Sequence, residues 1–180
     1  MKIILAAIII IIPQTAYSQK TAPQTSISIQ TATKQLSAAR DPRIKILRSY
    51  LEKYDSPLAP YAQDFVASAD KYNLDWKLVA AIAGNESTFG KAVPYNSYNA
   101  WGWGVYGDNV IRFSSWSEGI DTISQGLRVR YMDAWGGQTV YDIGRVYASS
   151  PVWADHVTFY MNQIQAHALK DTKNTLSLSL

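Results

Sequence analysis

The chain has 180 residues, with 17 lysines and arginines against 14 aspartates and glutamates, and no cysteine. The missing cysteine excludes disulfides, thiolate metal sites and a cysteine nucleophile, and a net charge of +3 is too small for the basic stripe that binds nucleic acid. Even that excess lies outside residues 43–170, where twelve basic side chains meet twelve acidic ones.

Met1 to Ser18 reads as a secretory signal: Lys2, the apolar run Ile3 to Ile12, Pro13, then a small-x-small cleavage site at Ala16-Tyr17-Ser18. The run is shorter than the roughly 20 residues that span a bilayer as a helix. The pattern therefore predicts export to the periplasm, the cell wall or the extracellular space; the alternative is an uncleaved signal that keeps the N-terminus at the membrane. Residues 19–42 are mostly Gln, Thr, Ser and Ala, which bury too little surface to offset ordering entropy, so they read as a disordered linker. One domain follows over 43–170, with a frayed tail over 171–180.

Within the domain the apolar spacing predicts helices. Leu47, Tyr50, Leu51 and Tyr54 mark a first short one, and Pro60 opens a second with Tyr61, Phe65, Ala69 and Tyr72 on one face and Asn73 as its stop. Asp75 caps a third, in which Leu78, Val79, Ile82, Ala83 and Glu86 share a face and Gly90 supplies the stop. Val105 to Phe113 reads as a small β hairpin around Gly107-Asp108-Asn109. Ser115 to Glu118 matches a capping box for a helix carrying Trp116, Ile120, Ile123, Leu127 and Tyr131 as far as Gly136-Gly137. Thr139 caps a further helix with Val140, Ile143 and Tyr147, and after Pro151 a last one aligns Trp153, Val157, Tyr160, Ile164 and Ala168. The expected fold is mainly α.

The chemistry concentrates between Leu74 and Gly104. A carboxylate on the apolar stripe at a helix C-terminus is disfavoured in its charged form by burial and by the helix dipole. A carboxyl group that holds its proton can serve as a general acid, which is what cleaving a glycosidic bond requires; the competing reading is a solvated glutamate of a last turn. Downstream, Tyr98, Asn99, Trp101, Trp103 and Tyr106 lie close together among glycines. Aromatic faces stack on sugar rings and amides meet hydroxyls, so this mixture suits a glycan groove, or else it fills the core beneath a loop. Asp108 is the sole acid between Glu86 and Glu118, so it is either a second acid or ordinary turn chemistry. His156 and His167 would stand about 16 Å apart along one helix, too far to share a metal ion, and neither a metal nor another cofactor is expected.

LDWKLVAAIAGNESTFG resembles the catalytic helix of the lysozyme-like superfamily, which holds the soluble lytic transglycosylases, the goose-type lysozymes and the bacterial endo-β-N-acetylglucosaminidases. NAWGWG resembles the Asn-x-Phe-Gly segment along their sugar groove, and FSSWSEGI and RVYASSPVWADHV are similar to later helices; the likeness runs from about Tyr72 to Leu169. The resemblance implies an α+β lysozyme-like domain built around a central catalytic helix. Glu86 would be the acid, with Ser87, Asn99, Trp101 and Tyr147 at the substrate. In the transglycosylases one glutamate acts as acid and then base, which removes the need for Asp108. The Gly-Leu-Met-Gln and Ala-Tyr-Asn-Ala-Gly motifs of that group are absent, which leaves the product open.

The expectation is thus an exported, monomeric enzyme acting on the β-1,4 bond of peptidoglycan or a related N-acetylated glycan, as a lytic transglycosylase. The alternatives are a hydrolytic endo-β-N-acetylglucosaminidase and a wall-binding module without turnover.

Overall fold

Helix α1, Pro42–Glu52, begins where the polar composition ends. Asp41 accepts the Arg43 amide at 2.9 Å, and Pro42 occupies the first turn, where no amide hydrogen is needed. A 3-10 turn, Ala59–Tyr61, leads into α2, Ala62–Tyr72, which Asn73 closes in the left-handed conformation at φ 50°. Next come α3, Leu78–Ser87, and α4, Trp116–Gly126, which continues into a π-helical stretch, Leu127–Ala134. The last two helices are α5, Val140–Tyr147, and α6, Trp153–Ser177. This computed structural model describes residues 41–105 and 109–177, with side chains as far as 171. The signal, nearly all of the linker, Tyr106 and Asp108 lie outside the described residues.

The architecture is mainly helical, as the apolar spacing predicts. Helix α3 departs from its one-sided pattern, because every residue from Leu78 to Gly84 is buried, not a single stripe. A helix that is apolar all round belongs in the middle, and α6, α2 and α4 all pack on it. Asp75 caps the turn before it by accepting the Lys77 amide at 2.9 Å. Its end comes earlier than Gly90: Thr88 turns left-handed at φ 52° and Phe89 follows at 57°. Two non-glycine residues in that region are costly, and the return is that Phe89, fully buried, folds back under its own helix. Gly84 makes room for it, since a Cβ there would lie 2.6 Å from the Phe89 ring.

The other caps act as their residue types dictate. Ser115 accepts the Glu118 amide at 3.1 Å, while Glu118 reaches back to Ser114, one residue short of a reciprocal capping box. Thr139 and Asp142 complete theirs. The Leu127–Ala134 stretch was expected as plain α-helix; its wider winding brings residues five apart onto one face, and there Arg128 pairs with Asp133 at 2.7 Å. Among the described residues none forms a strand; Gly107 and Asp108 of the expected hairpin lie outside them, and on its far flank the Phe113 amide donates to the Ser97 carbonyl at 2.9 Å. Helix α6 runs to Ser177, past the end of the apolar pattern, with Asp171 paired to Lys45 of α1. No helix among the described residues is long and apolar enough to cross a membrane.

Candidate functional site

Glu86 lies one residue before the end of α3, partly exposed where the preceding two turns are buried. Its Oε1 accepts two hydrogen bonds, from Trp153 Nε1 at 2.5 Å and from Asn85 Nδ2 at 3.1 Å. Its Oε2 has no hydrogen-bond partner among the described residues and faces Gly102, where a Cβ would stand 3.3 Å away. Gly102 also sits at φ +62°, so its lack of a side chain serves both the turn and the carboxylate. One oxygen is anchored and the other is left facing bare backbone.

The anchor is itself fixed. Trp153 opens α6, is 3% exposed, and stacks on Tyr147 with ring centroids 4.8 Å apart. Gly144 of α5 lets it in, since a Cβ there would come within 2.9 Å of the indole. The Tyr147 hydroxyl donates to the Trp101 carbonyl at 2.7 Å. Burial first, then the Glu86 carboxylate and Tyr131, push that phenol well above its ordinary pKa, so it stays a neutral donor. Trp103 and Tyr131 extend the aromatic wall, each within 6.0 Å of Tyr147 between centroids, and Arg130 stands over the Trp103 ring at 5.9 Å. Trp135 continues it outward, 54% exposed, against Tyr131.

Three residues expected to face substrate require correction, because they are buried and their polar atoms are already engaged. Trp101 is 0% exposed, and its Nε1 donates to the Val79 carbonyl at 2.9 Å. The Asn99 amide donates to the carbonyls of Trp103 and Ile111, at 2.8 and 2.9 Å, while its oxygen accepts from the Trp103 amide at 3.1 Å. The Ser87 hydroxyl lies within 2.8 Å of the Ala100 carbonyl and accepts the Gly90 amide at 2.9 Å. These residues build the wall beside Glu86 and do not present groups to its open side. Tyr98 sits apart, edge-on to Trp116 at 5.3 Å. Tyr147 does stand near Glu86, whose charge acts on its phenol, and Trp103 packs on Tyr147.

The residue that reading along the chain misses is Trp153. It stands out as the apolar start of the last helix, but no spacing rule pairs it with a glutamate 67 positions earlier. Trp153→Phe keeps most of the stack on Tyr147 and removes the N–H. We expect a stability loss of about 1–3 kcal/mol, as for leaving the partner of a lost hydrogen bond unsatisfied, read from the midpoint of chemical denaturation.

Among the described residues no group of histidines and carboxylates is placed to hold a metal ion. The chain matches no protein-family model and no curated protein.

Proposed function

We propose that this protein is an exported lysozyme-like enzyme that cleaves the β-1,4 bond of peptidoglycan, acting as a lytic transglycosylase with Glu86 as its single acid and base. The reading is carried by the unequal treatment of the two Glu86 oxygens. Trp153 and Asn85 hold Oε1, which fixes the plane of the carboxyl group, while Oε2 faces Gly102 and is left to carry the proton. General acid catalysis needs that combination of fixed orientation and a free proton-bearing oxygen.

In the reaction, Oε2–H protonates the glycosidic oxygen as the bond to the anomeric carbon breaks. The carboxylate then takes the proton of the sugar's own hydroxyl as that oxygen closes onto the cation, giving an anhydro sugar. Trp103 and Tyr131, packed on Tyr147, and Trp135 beyond them offer aromatic surface for the apolar faces of sugar rings.

Mass spectrometry of the fragments released from purified peptidoglycan tests the reading. The expected product is lighter by one water than the reducing sugar of a hydrolase. Asp108→Asn, the matched control, should retain appreciable activity and the same product. A reducing product that is lost in Asp108→Asn would establish the two-carboxylate hydrolase instead, and binding without any cleavage would establish a wall-binding module.

A further inference from the structure

Further along α6 lies a polar recess of about 320 Å³, between α1 and α6. Tyr50, Lys53 and Tyr54 line it from α1 and the turn that follows, and Gln163, His167 and Lys170 from α6. No acidic side chain is among the lining residues, in a domain whose charges otherwise balance. Trp153 is fourteen residues from His167 along α6, roughly 21 Å at 1.5 Å per residue, so this recess is separate from the Glu86 site.

The hydrogen bonds define its protonation. Lys53 Nζ lies 2.6 Å from His167 Nδ1, and an ammonium group can only donate, so Nδ1 is the acceptor and the proton is on Nε2. Nε2 then donates to Ser49 Oγ at 2.8 Å, and the Ser49 hydroxyl donates onward to the Ile46 carbonyl at 3.1 Å. This direction excludes Ser49 as a nucleophile activated by His167. It also leaves donors facing the recess: two further N–H groups of Lys53, those of Lys170, the Gln163 amide, and the Tyr54 hydroxyl, whose oxygen already accepts from Tyr50.

We propose that this recess is a binding site for a phosphate-type oxyanion held between Lys53 and Lys170. Two ammonium groups, one from the turn after α1 and one from α6, with neutral donors between them satisfy several oxygens of such an ion at once. The groups around His167 make its binding sensitive to pH. Lys53 and the Tyr50 ring face it from α1, Lys170 and Asp171 flank it on α6, and Asp171 is itself paired with Lys45. Burial and the Lys53 charge hold the imidazole below its ordinary pKa, with Lys170 adding to that and Asp171 opposing it. An anion beside Lys53 offsets that charge and favours protonated His167. By linkage, lowering the pH through the imidazole titration strengthens anion binding.

Calorimetric titration of the full mature chain with inorganic phosphate should give saturable binding in the millimolar range, weakened about tenfold by Lys53→Gln and by Lys170→Gln, as for loss of a charged hydrogen bond. Lys71→Gln, which removes the same charge from α2, should bind as wild type. Sulfate does not titrate in this range and isolates the imidazole. Saturating sulfate should raise the NMR titration midpoint of His167 and leave that of exposed His156, the other histidine, unmoved. Capture on phosphatidylglycerol vesicles, lost in the two glutamine variants and competed by phosphate, would identify the source as a lipid headgroup; phosphate binding without vesicle capture would identify a soluble ion. Absence of saturable binding to either probe, equal binding by the glutamine variants, or equal shifts of the two histidines would overturn the proposal.

Discussion

Glu86→Gln should lower the rate of peptidoglycan cleavage by at least the 10²–10⁴-fold typical of general acid–base catalysis, with thermal stability unchanged or slightly raised. The glutamine carbonyl oxygen can still accept from Trp153 and Asn85, so the side chain stays in place, while the amide over Gly102 has no proton acidic enough for the leaving oxygen. The check is release of soluble fragments together with a melting curve on the same preparation. Equal cleavage by wild type and variant would remove Glu86 from the chemistry. An equal loss of melting temperature and rate would instead make it a structural residue.

Trp101→Ala should destabilise the domain by about 3–5 kcal/mol, the range for truncating a buried aromatic, against a total stability of about 5–15 kcal/mol for a domain. The ring is fully buried between Phe65 and Phe113, its N–H satisfies the Val79 carbonyl of α3, and a Cβ on Gly119 would stand only 2.7 Å from it. Removing it leaves a cavity and takes away a hydrogen bond to the helix that carries Glu86. Chemical denaturation measures the loss. Trp103→Ala is the informative comparison: that ring is only half-buried, so it should cost less stability and more glycan affinity. If Trp101→Ala melts like wild type, the ring is not the core residue its burial implies.

The contrast between these two tryptophans shows what was legible in the sequence. The caps at Asn73, Ser115 and Thr139 and the registers of α2, α4, α5 and α6 follow from local rules, because each depends on residues within about a turn of one another. Trp101 and Trp103 occupy the same glycine-rich segment, and neither composition nor spacing says which one turns inward. That choice is made by Val79, Phe113 and Gly119, residues up to 22 positions away. The same holds for Glu86: its helix and its position near the helix end were readable, but the indole that orients it comes from α6. The π winding was hidden as well, since Leu127 and Tyr131 keep a spacing that an ordinary helix would also satisfy.

That winding bears on how the chain can change length. A π turn holds about one more residue than an α turn, so it absorbs a residue that an ordinary helix would pass on as a rotation of about 100°. In Leu127–Ala134 the added residue is taken up inside the segment, and the Arg128–Asp133 pair uses the five-residue spacing that results. Deleting one residue there would restore α winding, cost that pair its spacing, and leave the chain beyond it close to its present direction. Related chains should therefore differ by a single residue in this segment far more readily than within Trp116–Gly126, where the same deletion would turn the two ends of the apolar stripe apart.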